Sequence, residues 1–368
     1  MPKYIYQQKD WPFFVWQEQK LLKLLAAVRH RQGKLVGMMQ GLGFSLQAEA
    51  SLQTLTLDVL KSSEIEGEML DKDQVRSSIA RRLGMDIAGL IPADRHVEGV
   101  VEMMLDATQN YENRLTDERV FGWHAALFPT GRSGMHKIVV GAWRANSMDD
   151  PMQVVSGPMG KQTVHYQAPD SDLLSDEMSA FFNWFNNRND LDPVLKAAVA
   201  HLWFVTIHPF DDGNGRIARA IADMQLARSD DSNQRFYSMS AQIRKERNAY
   251  YAMLEETQKN SLDITQWLEW FLECLNRALE ATDETLAVVF KKARFWERHG
   301  NVAFNDRQKL LLNKLLDGFE GKLNNAKWAK IAKCSSDTAL RDITDLLTKG
   351  ILVKEEGGGR NTAYSLKV

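Results

Sequence analysis

His208-Pro209-Phe210-Asp211-Asp212-Gly213-Asn214-Gly215-Arg216-Ile217-Ala218-Arg219 puts a titratable base, a carboxylate, a Gly-Asn-Gly turn and two arginines into one short stretch. Gly213 and Gly215 allow backbone geometry and close approach denied to other residues, and Asn214 tolerates left-handed backbone. Ile217, Ala220, Ile221 and Met224 form an apolar stripe, so a helix starts at the turn and runs from Arg216 to about Ala227. The free N–H groups at its start suit an anion. Arg216 and Arg219 lie three apart on roughly one side, where two guanidinium groups can clamp phosphate oxygens through paired hydrogen bonds. Asp212 meets phosphates through a divalent cation. Mg2+ fits, because it takes one or two carboxylates plus phosphates. His208 ends the preceding helix, and its neutral form accepts a proton near pH 7. Phe210 points into the core and holds the loop. Taken singly, each group has a plain structural reading: a histidine before proline, two core-edge ion pairs, an ordinary turn. Together they describe a phosphate-binding enzyme.

Working outward, Pro193 opens the helix before the loop, which runs to about Thr206, and another helix covers Ser175 to Phe185. Arg247 to Thr257 and Ile264 to Leu279 are read as helices, with Glu280 to Arg298 as a linking helix. Upstream, Met152 to Val155 and Thr163 to Tyr166 are strand-like around the turn Gly157-Pro158-Met159-Gly160. Met135 to Val140 is a short extended piece ending at Gly141-Ala142-Trp143-Arg144. Helices are predicted over residues 10–36, 70–83 and 95–113, and over Asp117 to Phe128. Another, Ala48 to Leu60, leads into Ser62-Ser63-Glu64-Ile65-Glu66, with Gly67 as its C-cap. Ser62 and Glu66 then share a helical face. The fold class is mainly α: a helical core with a small β-hairpin flap.

The C-terminal block is distinct. Helices over Asp306 to Leu316, Ala326 to Ala332 and Ser335 to Lys349 precede strands at Gly350 to Lys354 and Ala363 to Leu366. Three short helices and a hairpin resemble a winged helix-turn-helix. The expected organisation is an N-terminal helical segment at 1–45, a catalytic domain at 46–290 and a winged helix-turn-helix domain at 302–368.

Composition bounds the function. The 368 residues carry a formal net charge of -2, so the surface as a whole is no trap for nucleic acid. With 44% hydrophobic residues the chain can bury a sizeable core. Two cysteines, Cys274 and Cys334, form neither a disulfide framework nor a metal motif, which implies a reducing cytoplasm. No signal-peptide core opens the chain, and no run reaches the roughly 20 apolar residues of a membrane span.

The stretch 208–219 resembles the signature of the Fic-domain family, His-x-Phe-x-Asp/Glu-Gly-Asn-Gly-Arg-x-x-Arg, at every fixed position. Gly141-Ala142-Trp143-Arg144 is similar to the turn ahead of that family's hairpin, and residues 152–167 to its target-docking flap. The resemblance covers about residues 50 to 280. It implies an adenylyltransferase that moves AMP from ATP to a Ser, Thr or Tyr hydroxyl of a target protein. His208 would be the general base and Asp212 the Mg2+ ligand. The Gly213-Asn214-Gly215 backbone and the Asn214 side chain would cradle phosphates. Arg216 would contact the alpha and beta phosphates and stabilise charge during transfer, and Arg219 would contact the gamma phosphate. Val154, Val155, Val164 and Tyr166 would belong to the docking flap, and Tyr250 and Tyr251 to a nucleoside pocket. Gly215 and Arg219 stand where phosphotransferase and phosphocholine-transferring branches differ, which favours adenylylation. Use of another nucleotide and removal of AMP stay open.

Ser62-x-x-x-Glu66-Gly67 resembles the family's inhibitory-helix motif, within about residues 48–67. The resemblance implies that Glu66 pairs with Arg219 in place of the gamma phosphate, while Ser62 hydrogen-bonds and steadies the helix. For the C-terminal block two readings stay open. Ser335 to Ile343 has the look of a recognition helix, and Gly357-Gly358-Gly359-Arg360 of a wing tip. Residues 302–368 hold twelve Lys or Arg against eight Asp or Glu, a modest excess for DNA binding. Homodimerisation or target recruitment is the other reading. A nucleotide-sensing transcriptional regulator is thus the rival to an enzyme.

Overall fold

The computed structural model describes residues 3–41, 43–85, 87, 89–146, 150–158, 161–319, 321–355 and 362–367, with backbone alone for 44, 45, 284 and 285. The chain divides into two units, Met1–Leu83 with Pro92–Asp283, and Gly84–Ile91 with Glu284–Val368.

The first unit contains α1 (Glu18–Gln40), α2 (Phe44–Ile65), α3 (Lys72–Arg82), α4 (Arg95–Gln109) and α5 (Asp117–Leu127). Two hairpins follow, β1 (Arg132–Ser133) with β2 (His136–Lys137), and β3 (Gln153–Ser156) with β4 (Thr163–Gln167). Then come α6 (Leu174–Asn187), α7 (Pro193–Ile207), α8 (Asn214–Asp230), α9 (Met239–Lys245), α10 (Arg247–Gln258) and α11 (Thr265–Arg298), within which the two units divide.

Helix α7 is the centre of this unit. Asp192 caps it by accepting the Val194 N–H at 2.8 Å, and Pro193 fills its first position, where no N–H partner is needed. Every residue from Val194 to Ile207 is buried. A helix buried on every side is held by packing rather than by its own propensity. Each large apolar side chain buried there contributes roughly 1.5–3 kcal/mol. Its main partner is α8; α6 packs on α7, α4 and α5 on α8, and α9 on α2. The loop 208–213 therefore joins the two most deeply buried helices.

Several expected boundaries move. Helix α1 starts at Glu18 rather than near residue 10, because Val15 forms a parallel bridge with Asp263. Its N–H donates to Leu262 O and its carbonyl accepts from Ile264 N, both at 2.9 Å. Those backbone groups are unavailable to a helix. The predicted helix at 264–279 and the linker at 280–298 are one helix, α11. Helix α9 has no counterpart in the sequence reading; a seven-residue helix shows too few turns for a periodic signal. Of the turn at 157–160, Met159 and Gly160 lie outside the described residues.

The second unit has α12 (Asp306–Leu316), α13 (Asn325–Ile331), α14 (Ser336–Thr348), β5 (Leu352–Lys354) and β6 (Tyr364–Leu366), the strands pairing antiparallel. Asn305, Asn324 and Ser335 cap the three helices through side-chain oxygens. Leu311, Trp328, Ile343, Leu346, Leu352 and Tyr364 form its core. Ser335 accepts the Thr338 N–H at 3.2 Å and Ser336 Oγ accepts from Asn325 at 2.7 Å, so both hydroxyls are engaged internally, while Arg341 is exposed. The Gly357–Arg360 tip lies outside the described residues.

Candidate active site

The loop after α7 begins in left-handed backbone, with His208 at φ 51. A non-glycine residue there costs roughly 1–2 kcal/mol. The buried Arg144 holds it in place. Its Nε donates to His208 O at 2.8 Å, its Nη2 to Pro169 O at 2.6 Å, and its backbone N–H to Pro209 O at 3.0 Å. One guanidinium thus ties the loop to the chain just past β4. The His208 Nδ1 lies 3.2 Å from Val205 O. A carbonyl only accepts, so Nδ1 carries the proton and Nε2 keeps the lone pair. Burial pushes the His208 pKa down to about 4, and the ring is neutral at neutral pH.

His124 on α5 supports the middle of the loop. It stacks on Phe210 with centroids 4.1 Å apart, accepts the Gly141 N–H on Nδ1 at 3.2 Å, and faces Asp212 O with Nε2 at 3.2 Å. Since the amide must donate to Nδ1, Nε2 carries the proton. Burial pushes this pKa also to about 4. Gly213 sits at φ 82, and a Cβ there would meet the Phe128 ring at 2.9 Å. At Gly215 a Cβ would collide with Glu66 Oε1, so the missing side chain makes the room the carboxylate occupies.

Asn214 binds Phe210 at both ends of its amide: Oδ1 accepts Phe210 N–H at 3.0 Å and Nδ2 donates to Phe210 O at 2.8 Å. That side chain closes the loop. Asp212 is at the rim, its side chain 42% exposed. Ser133 Oγ donates to one carboxylate oxygen, and Arg216 Nη2 stands 3.8 Å from the other.

Arg216 and Arg219 are buried. Arg219 Nε donates to Ser62 Oγ at 3.0 Å, and its Nη2 to Ser62 O at 2.9 Å and Glu66 Oε1 at 2.7 Å. Ser62 and Glu66 therefore meet the same guanidinium from the end of α2. The end of α2 is held from α10, where Arg247 donates to Ile65 O at 2.6 Å and Tyr251 OH to Glu66 Oε2 at 3.3 Å. Arg216 has Phe128 beneath it, 5.0 Å from ring centroid to guanidinium carbon, and its Nη1 donates to Glu68 Oε2 at 2.7 Å. Among the described residues, Arg216 Nε and Arg219 Nη1 are buried donors without an acceptor.

Two expected placements are corrected. Tyr250 is buried behind Arg219, its hydroxyl 2.8 Å from His201 Nε2, and so it lines no open nucleoside pocket. Tyr166 is also buried. Its hydroxyl donates to Thr206 O at 2.6 Å and its ring packs edge-on against Tyr4, so it anchors the hairpin instead of facing a target. Val155 and Val164, paired across the hairpin, are exposed, and Val154 is half-buried. Sequence reasoning missed His124, Ser133, Glu68 and His96. From sequence, Arg144 stands only as the end of the Gly141-Ala142-Trp143-Arg144 turn. An acid directly after Gly67 was the one available signal for Glu68.

Residues 114–226 match the family model described as "Fic/DOC family", and residues 4–85 one described as "Domain of unknown function (DUF4172)". The chain is 28% identical over 228 residues to the protein adenylyltransferase Fic of Aedes aegypti, a match covering 60% of this chain and 40% of that protein. The protein adenylyltransferase Fic of Culex quinquefasciatus gives the same figures. The match thus spans about two-fifths of these curated relatives. Among solved structures, a Fic family protein from Desulfovibrio desulfuricans G20 is similar over 94% of this chain and 95% of that one, with a TM-score of 0.52 and 20% identity. A Fic domain containing signaling protein from Bacteroides thetaiotaomicron is similar over 71% of this chain and 97% of its own, with a TM-score of 0.52 and 19% identity. The mainly helical core with its small hairpins, and a family match lying across the loop and both arginines, together give this chain a Fic/DOC-family fold.

Proposed function

We propose that this protein transfers AMP from ATP to a Ser, Thr or Tyr hydroxyl of a target protein, and that Glu66 restrains it. The observation that carries this reading is one loop with an unprotonated His208 Nε2, followed on α8 by two buried arginines that each have a donor lacking an acceptor among the described residues. Buried donors without partners are unfavourable by about 1–3 kcal/mol each, which a polyphosphate would relieve. The curated relatives are named protein adenylyltransferases, which supports the same reading.

His208 Nε2 takes the proton of the attacking hydroxyl. The hydroxyl oxygen bonds to the alpha phosphorus as the bond to the bridging oxygen breaks, and pyrophosphate leaves with the electron pair. Arg216 and the α8 N-terminal N–H groups face the charge that builds on the phosphates. The half-exposed Asp212 carboxylate suits Mg2+, which keeps waters and takes few carboxylates. Bound there, it would offset phosphate charge. Glu66 holds the Arg219 donor nearest to it, so the gamma phosphate must displace a carboxylate to bind productively.

Intact mass after incubation with ATP and Mg2+ tests this on the wild type, Glu66→Gly, and Glu66→Gly with His208→Ala. One added AMP in Glu66→Gly, absent when His208 is also replaced, is the expected result. The same samples supplied with cell lysate carry the test to target proteins. Folded Glu66→Gly that modifies neither itself nor any lysate protein would overturn the reading.

A further inference from the structure

Glu68 Oε2 is shared by two donors from different helices. Arg216 Nη1 on α8 lies 2.7 Å away and His96 Nε2 on α4 lies 3.2 Å away. Arg216 is 1% exposed, whereas the Glu68 and His96 side chains are each 37% exposed. A fixed cation thus forms the floor of this position and a titratable ring its rim. Glu68 is two residues past Glu66, so one turn sends two carboxylates to two arginines that stand three apart on α8.

We propose that the place of Glu68 Oε2 is a phosphate-oxygen subsite built by Arg216 and His96, which Glu68 fills with an intramolecular carboxylate until a polyphosphate displaces it. Carboxylate and phosphate oxygens use the same donors, and charge-assisted hydrogen bonds are short for both. The inference rests on the reading that Arg216 takes nucleotide phosphates, and adds His96 as a phosphate-binding residue and Glu68 as a second competitor. The groups facing His96 are the Glu68 carboxylate, Arg216 and the Leu127 backbone. The hydrogen bond with Glu68 raises the His96 pKa above its ordinary range against the effect of burial. For Glu68, burial acts upward, but His96 and Arg216 outweigh it and hold the carboxyl below its ordinary range. Any anion in the same place would keep His96 protonated in the same way.

A surface clamp that merely fastens the turn makes a different prediction. Removing Glu68 would then weaken the fold and leave polyphosphate affinity unchanged. The test is calorimetric titration with inorganic pyrophosphate in the Glu66→Gly background, where Arg219 is released. Glu68→Gln, which fills the same space without charge, should bind pyrophosphate about tenfold tighter, the scale of one charge-assisted hydrogen bond. Adding His96→Asn should reverse about tenfold of that affinity and flatten its dependence on pH between roughly 6 and 8. Glu68→Ala serves if Glu68→Gln does not fold. Unchanged affinity in the Glu68 variants, or indifference to His96→Asn, overturns the subsite, as does absence of pyrophosphate binding in every form. Intact mass on the same samples separates the two readings. AMP transfer with affinity indifferent to His96 removes the subsite alone. His96-dependent binding without any AMP adduct keeps the subsite and removes the transfer.

Discussion

Glu66 Oε1 accepts from Arg219 Nη2 at 2.7 Å, in the space that Gly215 leaves by having no Cβ. The pair does two things at once: it occupies the arginine and satisfies a buried charge. Glu66→Gly should therefore raise AMP transfer while lowering stability by about 1.5–3 kcal/mol, the range for losing a charged hydrogen bond. ATP at 100 times its Kd should restore about 2.7 kcal/mol. Thermal melts with and without ATP, set beside the mass assay, check both signs. A variant more active and equally stable would mean that Ser62 alone satisfies Arg219.

Arg144 fixes where His208 stands. Its fork reaches His208 O and Pro169 O while its backbone reaches Pro209 O. Lysine carries one ammonium and cannot reproduce that geometry. In the Glu66→Gly background, Arg144→Lys should lower kcat about 10- to 100-fold, as expected for misplacing a base by about 1 Å, with ATP affinity nearly unchanged. Single-turnover kinetics and calorimetry separate the two quantities.

The buried His124 and His201 and the half-buried His208 make the protein sensitive to acid. Burial pushes His201 to about 3, and His124 and His208 each to about 4. In the unfolded chain each would titrate near 6.5. The folded pKa values are depressed, so the unfolded state takes up protons first as pH falls. Stability is full above about 6.5 and declines as pH drops toward 4, with His201 continuing to about 3. The denaturant midpoint should fall across that window in wild type. His201→Gln should flatten the slope, and an unchanged slope would remove His201 as a source.

Among the described residues the β3–β4 hairpin is a two-stranded sheet with no third strand on either edge, and Val155 and Val164 are exposed. A target segment adding to such an edge is held by backbone hydrogen bonds. Val164→Pro removes one backbone N–H from β4. It should lower modification of protein targets about tenfold or more, the scale of one or two lost hydrogen bonds, and leave ATP affinity alone. Target labelling and nucleotide titration on the same preparation check this.

The sequence by itself determined what is local. The stripe after Gly215 defines α8, the apolar run after Pro193 defines α7, and the loop between them carries a base, a carboxylate and two arginines in fixed order. Ser62 and Glu66, four apart, lie at one helix end by helical geometry alone. Tertiary structure decided which groups turn inward and what they meet. Tyr250 and Tyr166 are amphipathic, and only packing chose their buried positions. Asn214 could face a phosphate or Phe210, and the curvature of the closed loop turned it to Phe210. Arg144, His124, Glu68 and His96 act on groups 17 to 148 residues away. Spacing along a chain encodes neighbours on one element. Donors and acceptors from separate elements find each other only when those elements are packed together.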